Sequence, residues 1–64
     1  MEMLKKATII YTDDLEEKFD AIRITNNGVV ICRILDGEIL ECGFISKNNI
    51  KQIKNGTNTK IHKF

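Results

Sequence analysis

Three dipeptides, Asn27-Gly28, Asp36-Gly37 and Asn55-Gly56, cut a chain of 64 residues into short runs, and no proline interrupts them. Glycine accepts positive φ at no steric cost and Asn or Asp tolerates it, so these pairs mark tight hairpin turns. The runs between them are β-branched. Ala21 to Thr25 alternates, with Ile22 and Ile24 on one side and Arg23 and Thr25 on the other. Val29 to Leu35 is apolar apart from Arg33, and Glu38 to Ile45 carries Ile39, Leu40, Cys42, Phe44 and Ile45. Ala7 to Thr12 is a further strand candidate. No segment holds a helical period over about 11 residues. The pattern predicts an all-β, antiparallel chain in meander order.

The turns leave two registers open. If Gly28 and Gly37 each end a three-residue loop, Ile24 faces Val30, Ile22 faces Cys32, Cys32 faces Leu40 and Val30 faces Cys42. One face then collects Ile22, Ile24, Val30, Cys32, Ile34, Leu40, Cys42 and Phe44. A two-residue Asp36-Gly37 turn instead puts Cys32 with Ile34, Ile39, Glu41 and Ile45. A slip of one residue exchanges the faces, so only one can hold. In neither are Cys32 and Cys42 directly opposite, and both read as small core residues, with a redox pair as the lesser alternative.

The length allows one domain, residues 1–64, with one small core. With 42% hydrophobic and 30% charged residues the chain is neither disordered nor membrane-spanning in character. It starts at Met1 and reads as a whole coding sequence. The N-terminal lysines are not followed by a signal-peptide apolar core, so the expected compartment is the cytoplasm, where two cysteines stay reduced.

The net charge of +1 conceals a division. Residues 1–20 carry −3, residues 21–45 carry −1, and residues 46–64 carry +5, with five lysines and no acid. The acidic segment Asp13 to Asp20 has capping-box spacing at Asp13 and Glu16 and an i,i+4 pair in Leu15 and Phe19. It reads either as one helical turn or as a long mobile loop.

The segment Gly43 to Ile53 resembles the end of Src-homology-3 domains, including their bacterial relatives. That family shows a glycine, an aromatic, a β-branched residue, a Pro or Ser, a one-turn 3₁₀ segment holding Asn, and an aliphatic strand. Gly43, Phe44, Ile45, Asn48, Ile50 and Ile53 fit. Upstream, Ile10-Tyr11-Thr12-Asp13 resembles the family's Leu-Tyr-Asp-Tyr segment, residues 13–20 stand in for its long first loop, and two hairpins follow. The resemblance covers residues 7–53 and implies a small antiparallel Src-homology-3-like barrel of about five strands, with Ile45 inside. Residues 54–64 are then an extra hairpin strand around Thr57–Ile61 or a mobile basic tail. Family members bind proline-rich peptides in a groove of tyrosines and a tryptophan. Here only Tyr11 stands at such a position, Val29 or Val30 replaces the tryptophan, Ser46 replaces the motif proline and Asn49 its tyrosine. Proline-rich peptides are therefore not expected as ligands.

No constellation carries catalysis. The single histidine, His62, is three residues from the end, and nothing sets it beside Cys32 or Cys42. The acids lack the alternating ligand spacing of a calcium loop, and no close Cys spacing or phosphate-cradling loop exists. No enzyme activity, metal or cofactor is expected. The remaining candidates are Tyr11 and the lysines Lys47, Lys51, Lys54, Lys60 and Lys63. A two-residue Asn55-Gly56 turn would set Ile50 against Ile61 and Lys51 against Lys60, a like-charge pair that an anion would relieve. The expected function is a non-catalytic interaction module, protein-binding or regulatory, that takes a protein partner by exposed loops or a strand edge. Weak sequence-independent nucleic-acid binding is the alternative. Acidic and basic segments can also pair within one chain or, between copies, build a homo-oligomer.

Overall fold

The computed structural model describes residues 2–55 and 61–62. They form one antiparallel sheet of five strands and a two-residue sixth: β1 (Glu2–Tyr11), β2 (Glu16–Thr25), β3 (Gly28–Leu35), β4 (Glu38–Ser46), β5 (Ile50–Asn55) and β6 (Ile61–His62). The spatial order is β4-β3-β2-β1-β5-β6. A one-turn 3₁₀ helix, Lys47–Asn49, joins β4 to β5. The all-β antiparallel expectation is what is found, and the 3₁₀ turn lies where the Gly43–Ile53 motif implied it.

The core is built by β1, β2, β3 and β5. Ala7, Ile9, Ile22, Ile24, Val29, Ile50 and Ile53 pack together, with Leu4, Tyr11, Phe19 and Ile45 against them. The core side changes parity partway along two strands. Leu4 and Ala7 both face the cluster although three residues apart, as do Phe19 and Ile22. The switch falls at Lys6, whose φ of +55° turns the strand, opposite Asp20, whose carboxylate accepts the Ile34 N–H at 3.3 Å. The sheet therefore bends at one corner while the β1–β2 register runs on unchanged.

Two hairpins settle the register. Leu35 pairs with Glu38 and Ile34 with Ile39 across a two-residue turn in which Asp36 has φ +51° and Gly37 φ +80°. Thr25 pairs with Gly28 and Ile24 with Val29, so Asn26-Asn27 is also a two-residue loop. The three-residue alternative is overturned at both turns. Val30, Cys32 and Ile34 lie on the side opposite Ile22 and Ile24. A bulge at Cys42, between the pairs Ile31–Gly43 and Cys32–Glu41, then turns Ile45 to the core. Leu40 and Phe44 are exposed, not core. Cys32 is buried but Cys42 is exposed, which corrects half of the cysteine expectation.

The segment 13–20 is neither helix nor long loop. The Tyr11 N–H donates to the Leu15 carbonyl at 2.8 Å, Asp14 takes φ +70°, and β2 begins at Glu16. At the other end, Ile53 pairs with His62 and Lys54 with Ile61. The expected Ile50–Ile61 pair is overturned by this register, and the expected Lys51–Lys60 pair falls on a residue outside those described. Residues 56–60, and Lys63 with Phe64, lie outside the described residues.

Candidate interaction surface

β4 is one edge of the sheet, and residues Glu38–Phe44 are all exposed. In a two-residue hairpin the flanking pair, here Leu35 and Glu38, exchanges both bonds. Alternation then leaves Ile39 and Glu41 with N–H and C=O directed away from β3, toward the open edge. Ile39, Leu40 and Phe44 are 43%, 44% and 56% exposed. An exposed edge strand with large apolar side chains is the feature that natural sheets usually blunt.

The face of the sheet turned away from the core has ordered rows. Met3 lies opposite Arg23, Arg23 opposite Val30 and Val30 opposite Phe44. In the next row Lys5, Ala21, Cys32 and Glu41 follow one another across β1 to β4. Arg23 bridges the rows with an ion pair to Glu41. Ala21 and Cys32 are buried beneath that crossing, and burial, then the Glu41 charge, push the Cys32 thiol up, against a lowering pull from Arg23. Beside them an open groove of about 450 Å³ runs past Phe19, Ile31, Leu35, Arg33 and both cysteines. Glu17, Lys18 and Asp20 share its lining, so no single charge dominates it.

The lysine candidates are dispersed. Lys47 begins the 3₁₀ turn, and its backbone N–H donates to the Asn27 carbonyl at 2.9 Å. Lys51 is exposed and reaches Asp14 at 2.6 Å, so the acidic and basic segments meet within one chain. Lys54 lies opposite Thr8, and Thr8 opposite Lys18, in one cross-strand row. Lys18 belongs to the acidic segment, and only strand pairing brings it beside Lys54. Lys60 and Lys63 lie outside the described residues.

Tyr11 is half-buried against the core. Its hydroxyl donates to Glu17 Oε1 at 2.7 Å. Its pKa is pushed up to about 12, first by burial, then by the hydrogen bond and charge of Glu17 and the charge of Asp13. Among the described residues no three His, Cys, Asp or Glu side chains gather to hold a metal, and no helix is long and apolar enough to cross a membrane. Sequence reasoning missed Met3 and assigned Phe44 to the core. No sequence signal could have found them: the two-residue Asp36-Gly37 turn alone would turn Phe44 to the Val29 side, and it is the Cys42 bulge that turns it outward, opposite Val30. Comparison with protein-family models, with characterised proteins and with solved structures finds no match to this chain.

Proposed function

We propose that this chain is a Src-homology-3-like small barrel that works as a non-catalytic protein-binding module and takes its partner along the β4 edge. One observation carries the reading: β4 has an open backbone edge and three exposed apolar side chains, Ile39, Leu40 and Phe44. An extended partner segment adds to such an edge by main-chain hydrogen bonds, with alternate side chains giving selectivity. The barrel reading is supported by the meander order and by the 3₁₀ turn between β4 and β5. A proline-rich ligand is disfavoured because Val29 is fully buried and the Tyr11 hydroxyl is engaged by Glu17.

The test uses proline on the edge. Ile39→Pro removes an N–H that serves no β3 bond, so the fold is retained while strand addition is blocked. A protein captured from cell extract by the wild type and lost with Ile39→Pro supports the reading. Capture that is unchanged by Ile39→Pro, or no capture at all, refutes it.

A second reading, backbone binding of nucleic acid, is favoured by the Lys18–Thr8–Lys54 row. Amide shifts on adding short mixed DNA or RNA, confined to that row and Lys47 and abolished by salt, are its expected signature. No shifts at low salt would remove it.

A further inference from the structure

We propose that Asn27 is a self-modification site: it deamidates to isoaspartate through Gly28 at a rate set by opening of the β2–β3 hairpin, and the product cannot re-form this corner of the sheet. An Asn-Gly pair carries the chemistry without a partner, because glycine puts no side chain in the way of its own main-chain nitrogen. The Gly28 nitrogen, its proton lost to solvent base, attacks the side-chain carbonyl carbon of Asn27. An N–C bond forms, the bond from that carbon to Nδ2 breaks, and ammonia leaves behind a five-membered cyclic imide. Water then opens the imide at either carbonyl. Opening at the side-chain carbonyl gives aspartate. Opening at the main-chain carbonyl gives isoaspartate, in which the chain runs through the side chain. No electron is transferred, and water is the only co-reactant.

The fold leaves Asn27 exposed and locks the nucleophile, since Gly28 is buried. Thr25 and Gly28 flank the two-residue loop and exchange both main-chain bonds, so the Thr25 carbonyl holds the Gly28 N–H. The other end of the same peptide, the Asn27 carbonyl oxygen, accepts the Lys47 N–H at 2.9 Å. The Thr25 hydroxyl closes the loop, donating to the Gly28 carbonyl at 3.0 Å and accepting the Asn27 N–H at 3.3 Å. Imide formation removes the proton that Gly28 donates and turns the peptide, so the loop must open first. Opening is fast beside the chemistry, and the rate follows the population of the open form. The isoaspartyl product has one more main-chain atom between residues 27 and 28. Gly28 already passes the Ile45 carbonyl so closely that a Cβ would stand 2.1 Å from it. A lengthened link cannot meet Thr25, Lys47 and Ile45 together, so each reaction removes a copy from the folded pool. The inference is independent of what binds at β4.

The test holds the full chain in mildly alkaline buffer, once folded and once in denaturant. The tryptic peptide Ile24–Arg33 is followed by mass spectrometry, with chromatographic separation of the aspartate and isoaspartate forms. Asn27 is expected to deamidate about tenfold or more slowly in the folded chain than in denaturant. This comparison needs no variant. Thr25→Val keeps the branched side chain and removes the hydroxyl. It is expected to raise the folded rate severalfold and to leave the rate in denaturant unchanged. The purified isoaspartate form is expected to unfold at lower urea than Asn27→Asp, which makes the same charge change on an unaltered main chain. Equal rates in the folded and denatured wild type overturn the proposal. So does a folded rate indifferent to Thr25→Val, or an isoaspartate form as stable as Asn27→Asp.

Discussion

At residue scale, Gly28 is the position where a single methyl group does most. Its φ is +153°, and a Cβ there would stand 2.1 Å from the Ile45 carbonyl oxygen, a backbone atom that cannot give way cheaply. Gly28→Ala is expected to cost roughly 3 kcal/mol or more in a urea melt. Gly43 has nothing within 4 Å of the equivalent point. Gly43→Ala is therefore expected to stay within about 0.5 kcal/mol of the wild type, which makes it the control. The single tyrosine gives a second test, by phenolate absorbance. The folded protein should titrate near pH 12, and Glu17→Gln should lower that midpoint. The unfolded phenol has the ordinary value of 10.0, so between 10.0 and about 12 the folded state holds a proton that the unfolded state has released. Stability from this group is thus complete below the unfolded value and falls as pH rises through that window. A midpoint near the ordinary value would mean that neither the burial of the Tyr11 ring nor its bond to Glu17 persists in solution. The cysteines separate by access. Cys42 should react with a thiol reagent at once, and buried Cys32 only as the protein opens.

At the scale of elements, the turn dipeptides predict the existence of the hairpins, but only one of them predicts its register. Asp36 and Gly37 both take positive φ, the pattern of a primed two-residue turn, and the glycine sits where the local rule puts it. Gly37→Ala should cost about 1 kcal/mol, and Asp36→Asn close to nothing. At the preceding hairpin the loop is Asn26-Asn27, and Gly28 is already paired with Thr25. Its glycine answers a tertiary demand, the passage of the Ile45 carbonyl, which a local turn rule cannot contain. The Cys42 bulge is likewise silent in the sequence, because one extra residue in an apolar run changes no periodicity that six or seven residues can report. It nevertheless decides that Ile45 packs inward and that Phe44 faces out. The acidic start of β2 shows propensity overridden by pairing: Glu16 and Glu17 lie opposite Ile10 and Ile9, whose burial fixes the strand. Of the candidate site, the exposed lysines of β5 were legible from composition. The Lys18–Thr8–Lys54 row and the Met3 to Phe44 row exist only once four strands are in register.

At the scale of the molecule, the charge division is partly settled inside the chain through Asp14 and Lys51. Both side chains are more than half exposed, so Lys51→Ala should change stability by less than about 0.5 kcal/mol. Stability must come instead from a core of ten buried apolar residues among those described, with no buried polar side chain. For a domain of this length the total is about 3–10 kcal/mol. Ile53 is fully buried on β5 and lies opposite Ile9, fully buried on β1. Truncating it removes transfer energy and leaves a cavity, at a cost of about 3–4 kcal/mol. Ile53→Ala should therefore bring the whole chain to the edge of unfolding in one cooperative transition, followed by circular dichroism in urea. Ile39→Ala, at an exposed position, should move the midpoint little. Residues 50–55 touch the rest of the sheet chiefly through β1, so the size of the Ile53 effect measures whether β5 belongs to the same cooperative unit. A loss below about 1 kcal/mol would mean that β1 to β4 hold together without it, and that the burial of Ile9 and Ile53 against each other is not what closes the core.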